Sequence, residues 1–238
     1  MCGRFTLAPA SGRLFGPRFG LAEDVEIKPR WNVAPSTQIP VVSRRGERNQ
    51  LDWMHWGLVP HWAKSPDGSA RMINARAETV TEKPAYRGLL KSHRCLIPAD
   101  GFYEWQVRGD GPKQPWLFTE PGGEVFGFAG LWTTWEPGDG VEPLESVTII
   151  TTEPNAVVAP VHKRMPVILP ADLEERWIDP GTPADEAVAL LGPISPELLE
   201  AWPVSTRVNS VRNDDVDCVA PVEPGRDLPA AGTQEELF

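Results

Sequence analysis

Val125-Phe126-Gly127-Phe128-Ala129-Gly130-Leu131-Trp132-Thr133-Thr134 reads as a β-strand, ten residues of aromatic, β-branched and small side chains with no proline. Similar runs flank it: Arg94 to Ile97, Gly101 to Val107 and Trp116 to Thr119 before it, Ser146 to Thr152 and Met165 to Leu169 after it. Gly109-Asp110-Gly111-Pro112 is a turn between two of them. Further upstream, Ile39 to Ser43 and Leu51 to Leu58 read as strands and Ala85 to Ser92 as a short helix. Arg30 to Pro35 reads as an irregular segment, and Val59 to Gly68 as a long loop punctuated by proline and glycine. Helices follow the strands: Ala171 to Ile178, Pro183 to Leu191 and Pro196 to Trp202 each open on proline or an acidic first turn. This succession predicts an α+β fold in one domain, residues 1–222, with a curved or barrel-like mixed β-sheet, peripheral helices and a disordered tail over 223–238.

A chain of 238 residues with 41% hydrophobic content can bury a substantial core. Arg4, Arg13 and Arg18 interrupt what would be the apolar part of a signal peptide, and no run reaches transmembrane length. A cytoplasmic protein without membrane contact is expected. Cys2, Cys95 and Cys218 are an odd number without CxxC spacing, and the four histidines form no HxxxH pair; neither disulfide, metal nor other cofactor is expected. Cys95 reads as a core thiol, and Cys218 follows three aspartates that disfavour a thiolate. The net charge of −10 argues against a nucleic-acid partner until its distribution is read. Residues 1–118 hold 17 Lys and Arg against 11 Asp and Glu, whereas residues 119–238 hold 6 against 22. That split fits one anion-binding face on an otherwise acidic protein.

The most distinctive chemistry lies in Met1-Cys2-Gly3-Arg4. Trimming of Met1, usual before a small residue, would leave Cys2 with an α-amine of pKa near ~8 beside a thiol of pKa about 8.5. The amine can attack an aldehyde to form a Schiff base, and the thiol can then close a five-membered thiazolidine on the same carbon. An internal cysteine has no amine with which to do this.

Seven segments occur in a characteristic order: Cys2-Gly3-Arg4, Trp31-Asn32-Val33-Ala34-Pro35, Trp56-Gly57-Leu58-Val59-Pro60-His61-Trp62, Asn74-Ala75-Arg76-Ala77-Glu78-Thr79, Gly101-Phe102-Tyr103-Glu104-Trp105, Phe128-Ala129-Gly130-Leu131 and His162-Lys163-Arg164-Met165-Pro166. In these the chain resembles the SOS response-associated peptidase family, also called abasic-site processing proteins, from Met1 to about Asn213. The resemblance implies a monomer that senses abasic sites in single-stranded DNA during the DNA damage response and traps the opened sugar as a thiazolidine crosslink. The family name also records autoproteolytic removal of Met1, to which trimming by an aminopeptidase is the alternative. By resemblance Cys2 is the nucleophile, Glu104 the proton shuttle, Asn74 the hydrogen-bond partner of the opened sugar, and His162 the aid to Schiff-base formation or ring opening. Arg4, Arg76 and Arg164 would grip phosphates, with Arg76 alternatively pairing with Glu78, and Pro35 and Trp62 would wedge against the flanking bases. Some relatives carry a second aromatic where this chain has Ala63.

Two other classes would use parts of this set. An amino-terminal-nucleophile amidohydrolase would employ Cys2 with its own amine as base, acting on small amides. A non-enzymatic single-strand-binding module would need the tryptophans and arginines, leaving Cys2, Glu104 and His162 without a task.

Overall fold

The computed structural model describes residues 2–8, 15–109, 112–138, 140 and 142–224. Met1, the middle of the expected Gly109–Pro112 turn and the tail beyond 224 lie outside the described residues. In chain order the strands are β1 (Phe5–Leu7), β2 (Arg30–Val33), β3 (Gln38–Arg45), β4 (Arg48–Trp56), β5 (Asn74–Arg76), β6 (Arg94–Ala99), β7 (Gly101–Gln106), β8 (Gln114–Thr119), β9 (Phe126–Trp135), β10 (Leu144–Thr152), β11 (Met165–Pro166), β12 (Ile168–Leu169) and β13 (Glu200–Pro203). The helices are short: α1 (Phe15–Arg18), α2 (Pro84–Arg87), α3 (Ala171–Ile178) and α4 (Ala184–Val188).

Five strands close into a barrel. β10 pairs in parallel with β4, and the circuit returns through antiparallel β4–β3, β3–β6, β6–β9 and β9–β10 ladders. Closure leaves those strands without a free edge. β9 is buried along nearly its whole length. Gly130 marks how tightly the strands approach: a Cβ there would lie 2.2 Å from Ile97 Cδ1 and 3.0 Å from Cys95 Sγ. The mixed, barrel-forming sheet expected from the sequence is therefore present, as is the strand-rich middle.

A second, antiparallel sheet has the order β13-β8-β7-β1-β2. Its inner face meets the barrel through aromatic rings, Phe5 lying 5.2 Å from Trp56 and Phe102 6.3 Å from Phe128. Its outer face carries a small separate cluster in which Tyr103 and Leu117 pack with Val204, Val208 and Cys218. β1 is an interior strand, between β2 and β7. Asp100 anchors it, accepting from Thr6 Oγ1 at 2.5 Å and from the Ala8 N–H at 2.6 Å.

α3 spans the residues predicted for it. It brings Trp177 into the core, where its indole donates to the Cys95 carbonyl at 2.9 Å. Glu174 on the same helix receives Arg18 at 2.6 and 2.9 Å and the Gly127 N–H at 2.9 Å. Buried Arg94 donates to the carbonyls of Leu90, Trp177 and Asp179. Three expectations are corrected. Pro196 to Trp202 is a 3₁₀ turn (Pro196–Leu198) followed by β13, because the open edge of β8 offers this segment a ladder from Glu200 to Pro203. Arg30–Val33 is a strand, since its residues pair with β1. Ala85 to Ser92 divides into α2 and a 3₁₀ turn at Leu89–Lys91. None of the described helices is long and apolar enough to cross a membrane.

Candidate functional site

Four separate segments converge where the two sheets meet. Cys2 lies three residues before the start of β1 and is wholly buried. Asn74 opens β5, which lies parallel to β10, and its Nδ2 donates to the Cys2 carbonyl at 2.8 Å. Its Oδ1 is buried and has no hydrogen-bond partner among the described residues, which leaves an acceptor aimed at no protein group. Glu104 sits in the middle of β7. Strand alternation turns it and Phe102 toward the barrel while Tyr103 and Trp105 turn to the outer face. The fourth group, His162, ends a turn built by buried Asn155, whose Oδ1 accepts from the Val157 and Val158 N–H groups at 3.1 Å each.

His162 Nδ1 lies 3.5 Å from Glu104 Oε1 and 3.0 Å from the Arg164 carbonyl oxygen. Burial lowers the affinity of His162 for a proton and raises that of Glu104 to a pKa of about 7, so a neutral imidazole and a half-protonated carboxyl coexist near neutrality. The Cys2 thiol is pushed far above the ordinary thiol range, first by burial and then by the Glu104 carboxylate. A thiol in this state reacts only if a neighbouring base takes its proton as the new bond forms.

The residues expected to contact DNA divide into two groups. Arg76 and Trp62 stand at the surface, Trp62 being 53% exposed with its ring edge-on to His61. Pro35 is half-buried and precedes Ser36, which holds a φ of 62° and donates its N–H to the Trp56 carbonyl at 2.9 Å. By contrast, Arg4 and Arg164 are engaged by the protein. Arg4 donates to Asn32 Oδ1 and the Val208 carbonyl, both at 2.8 Å. Arg164 forks onto Glu78 at 2.5 and 2.9 Å and donates to the Thr151 carbonyl at 2.6 Å. Glu78 thus takes Arg164, rather than the nearer-in-sequence Arg76, as its ion-pair partner, and the hydrogen bond holds its carboxyl below the usual range. Ala63 contributes its carbonyl oxygen to the Trp135 indole at 2.7 Å. Among the described residues no cluster of three or more His, Cys, Asp or Glu is arranged for a metal ion.

Sequence reasoning overlooked the residues that hold the site together. Asn32, inside a recognised motif, donates from Nδ2 to the carbonyls of Val208, Ser210 and Asn213 at 3.1, 3.0 and 2.7 Å. Asp214 accepts the Trp31 and Asn32 N–H groups at 2.6 and 2.9 Å. These polar side chains bind distant backbone, and spacing along the chain carries no signal of that.

The fold and the site together define a single-domain, strand-rich protein in which a closed five-stranded barrel meets an antiparallel sheet and a buried Cys2 lies with Asn74, Glu104 and His162 where they join. Residues 1–211 match the SOS response associated peptidase family, and the chain belongs to that family. It is 43% identical over 221 residues to the abasic site processing protein YoaM of Bacillus subtilis, covering 91% of this chain and 96% of that one. The abasic site processing protein HMCES of Gallus gallus is 37% identical over 269 aligned residues, covering 94% of this chain and 79% of that one. A crystal structure of a protein from Bacteroides thetaiotaomicron superposes with a TM-score of 0.82 at 27% identity, over 93% of this chain and all of the other.

Proposed function

We propose that the chain processes abasic sites in single-stranded DNA by trapping the opened sugar on Cys2 after Met1 has been removed. The α-amine of Cys2 adds to the sugar aldehyde, and loss of one water gives a Schiff base. The thiol sulfur then adds to the imine carbon; its proton leaves and the imine nitrogen gains one, closing a thiazolidine. Glu104 suits both transfers, because a group of pKa about 7 is present as acid and base together at neutral pH. His162 stands next in line for the proton, and the unused acceptor of Asn74 suits a sugar hydroxyl. Arg76 and Trp62 are the surface groups for a phosphate and a neighbouring base, and half-buried Pro35 is assigned to the other flanking base. Arg4 and Arg164 shape the site from within.

The observation that carries the reading is the convergence of Cys2, Asn74, Glu104 and His162 from four distant segments. The relatives' names point to the same lesion. The test is incubation with a single-stranded oligonucleotide containing one uracil already excised by its glycosylase, followed by denaturing electrophoresis and intact mass measurement. A covalent adduct whose mass equals DNA plus protein without Met1, less one water, is the expected result. Absence of any adduct at saturating DNA would overturn the reading. Loss of Met1, by its own chemistry or an aminopeptidase, is checked on the same spectrometer.

A further inference from the structure

The strand β7 that carries Glu104 shows a second face to solvent-side residues of the carboxy-terminal third, and that face is tied down at points adjoining the reacting groups. Trp105 donates its indole N–H to Asn209 Oδ1 at 2.8 Å. The backbone carbonyl of the same Asn209 accepts from Arg4 Nη2 at 3.3 Å. Arg4 is two residues from Cys2, and its own carbonyl accepts the Tyr103 N–H at 3.0 Å, stitching the amino terminus to β7 one residue before Glu104. Tyr103 in turn donates its hydroxyl to the Trp31 carbonyl at 2.7 Å.

We infer that Asn209 is a positioning residue for the Cys2–Glu104 pair, holding the chain beside the nucleophile through its main-chain oxygen and the chain beside the carboxyl through its side-chain oxygen. This inference rests on the trapping reaction proposed above. Proton transfer between a buried thiol and a buried carboxyl depends on their separation to a fraction of an ångström, and both sit on short extended segments that have no helix to stiffen them. Asn209 supplies a common reference from the opposite side of the sheet. It touches neither reacting group, so its removal leaves both of them chemically intact.

The comparison is between Asn209→Ala, which loses the acceptor for Trp105, and Asn209→Asp, which keeps a side-chain oxygen there. At saturating abasic single strand the alanine variant is expected to crosslink roughly 10- to 100-fold more slowly with unchanged affinity for the DNA, and the aspartate variant to recover most of that rate. A second readout needs no DNA. In protein with carboxyl-labelled glutamate, the Glu104 resonance, assigned by its loss in Glu104→Gln, titrates in the presence of its charged and titratable neighbours His162, Cys2 and Lys113. Loosening β7 admits water, so Asn209→Ala should move that midpoint toward the ordinary carboxylate range. Trp105→Phe keeps a ring and removes the donor; it should reproduce the alanine phenotype even if Asn209→Ala fails to fold. Wild-type rate and midpoint in either variant would overturn the positioning role, as would an aspartate variant no faster than alanine. Should the wild-type protein form no crosslink at all, the proposed reaction fails, while the DNA-free titration still decides what Asn209 does.

Discussion

At Glu104 the carboxyl is held out of water on β7, with a pKa of about 7 instead of the usual 4.5. The unfolded chain therefore releases this proton at lower pH than the folded one, and folding becomes less favourable as pH climbs from about 4.5 to 7. With the shift at face value the loss approaches ~3 kcal/mol, an order of magnitude set by one pKa unit corresponding to ~1.4 kcal/mol. Glu104→Gln should thus melt higher than wild type at pH 8, with little difference at pH 4.5, and it should crosslink more slowly with near-normal DNA affinity. Equal melting shifts at both pH values would show that Glu104 is not buried as an acid. For the proposed nucleophile, Cys2→Ala would keep the amine once Met1 is trimmed and remove the sulfur. It should give no heat-stable crosslink, yet a borohydride-trappable imine and some strand nicking, because an imine acidifies the neighbouring C–H bond. Stable crosslinks at the wild-type yield would refute the ring-closing role of the thiol.

The elements around the candidate site separate the proposed DNA contacts, Arg76 and Trp62, from Arg4 and Arg164, which the protein itself engages. Arg76→Ala, at the exposed end of β5, should weaken binding to damaged and undamaged single strands alike and reduce the salt slope by roughly one counterion. Trp62→Ala should lower affinity by roughly 5- to 100-fold, the range of one base-stacking contact of ~1–3 kcal/mol, without abolishing chemistry at saturating DNA. Titrations over a series of salt concentrations measure both, and an unchanged salt slope in Arg76→Ala would remove that residue from the phosphate contact. Element by element, the sequence was most legible where local chemistry and burial agree. α3 combines an acidic first turn with buried Trp177 and Ile178 on one side, and it falls where predicted. Glu200 to Pro203 has the same local invitation to continue a helix after Pro196, but the β8 edge outcompetes it. Propensity cannot anticipate a ladder with a partner some eighty residues away. The candidate site divides likewise: Cys2, Asn74, Glu104 and His162 were named by family resemblance and the fold brings them together, whereas Glu78 as the partner of Arg164 emerged only from three-dimensional proximity.

Across the whole molecule the closed barrel leaves little room for adjustment. Gly130 of β9 faces Ile97, Cys95 and the Thr148 carbonyl at distances that exclude a methyl group. Gly130→Ala should lower the melting temperature by roughly 2–12 °C, the effect of ~1–3 kcal/mol of overpacking in a chain of this size, as read by calorimetry. A melting temperature equal to wild type would mean that β6 and β10 can part without penalty. Closure of the barrel also requires β10 to meet β4 in parallel, and the second sheet requires β1 to lodge between β2 and β7. β1 is thus sealed in by a strand the ribosome delivers much later. Until residue 106 has been made, β1 has no complete β7 to pair with, and until His162 follows, Glu104 lacks the imidazole that lies 3.5 Å from it. On the function proposed above, Cys2 is an ordinary, accessible thiol, open to amino-terminal trimming, for as long as β1 has not paired with β7, and it is sequestered from then on.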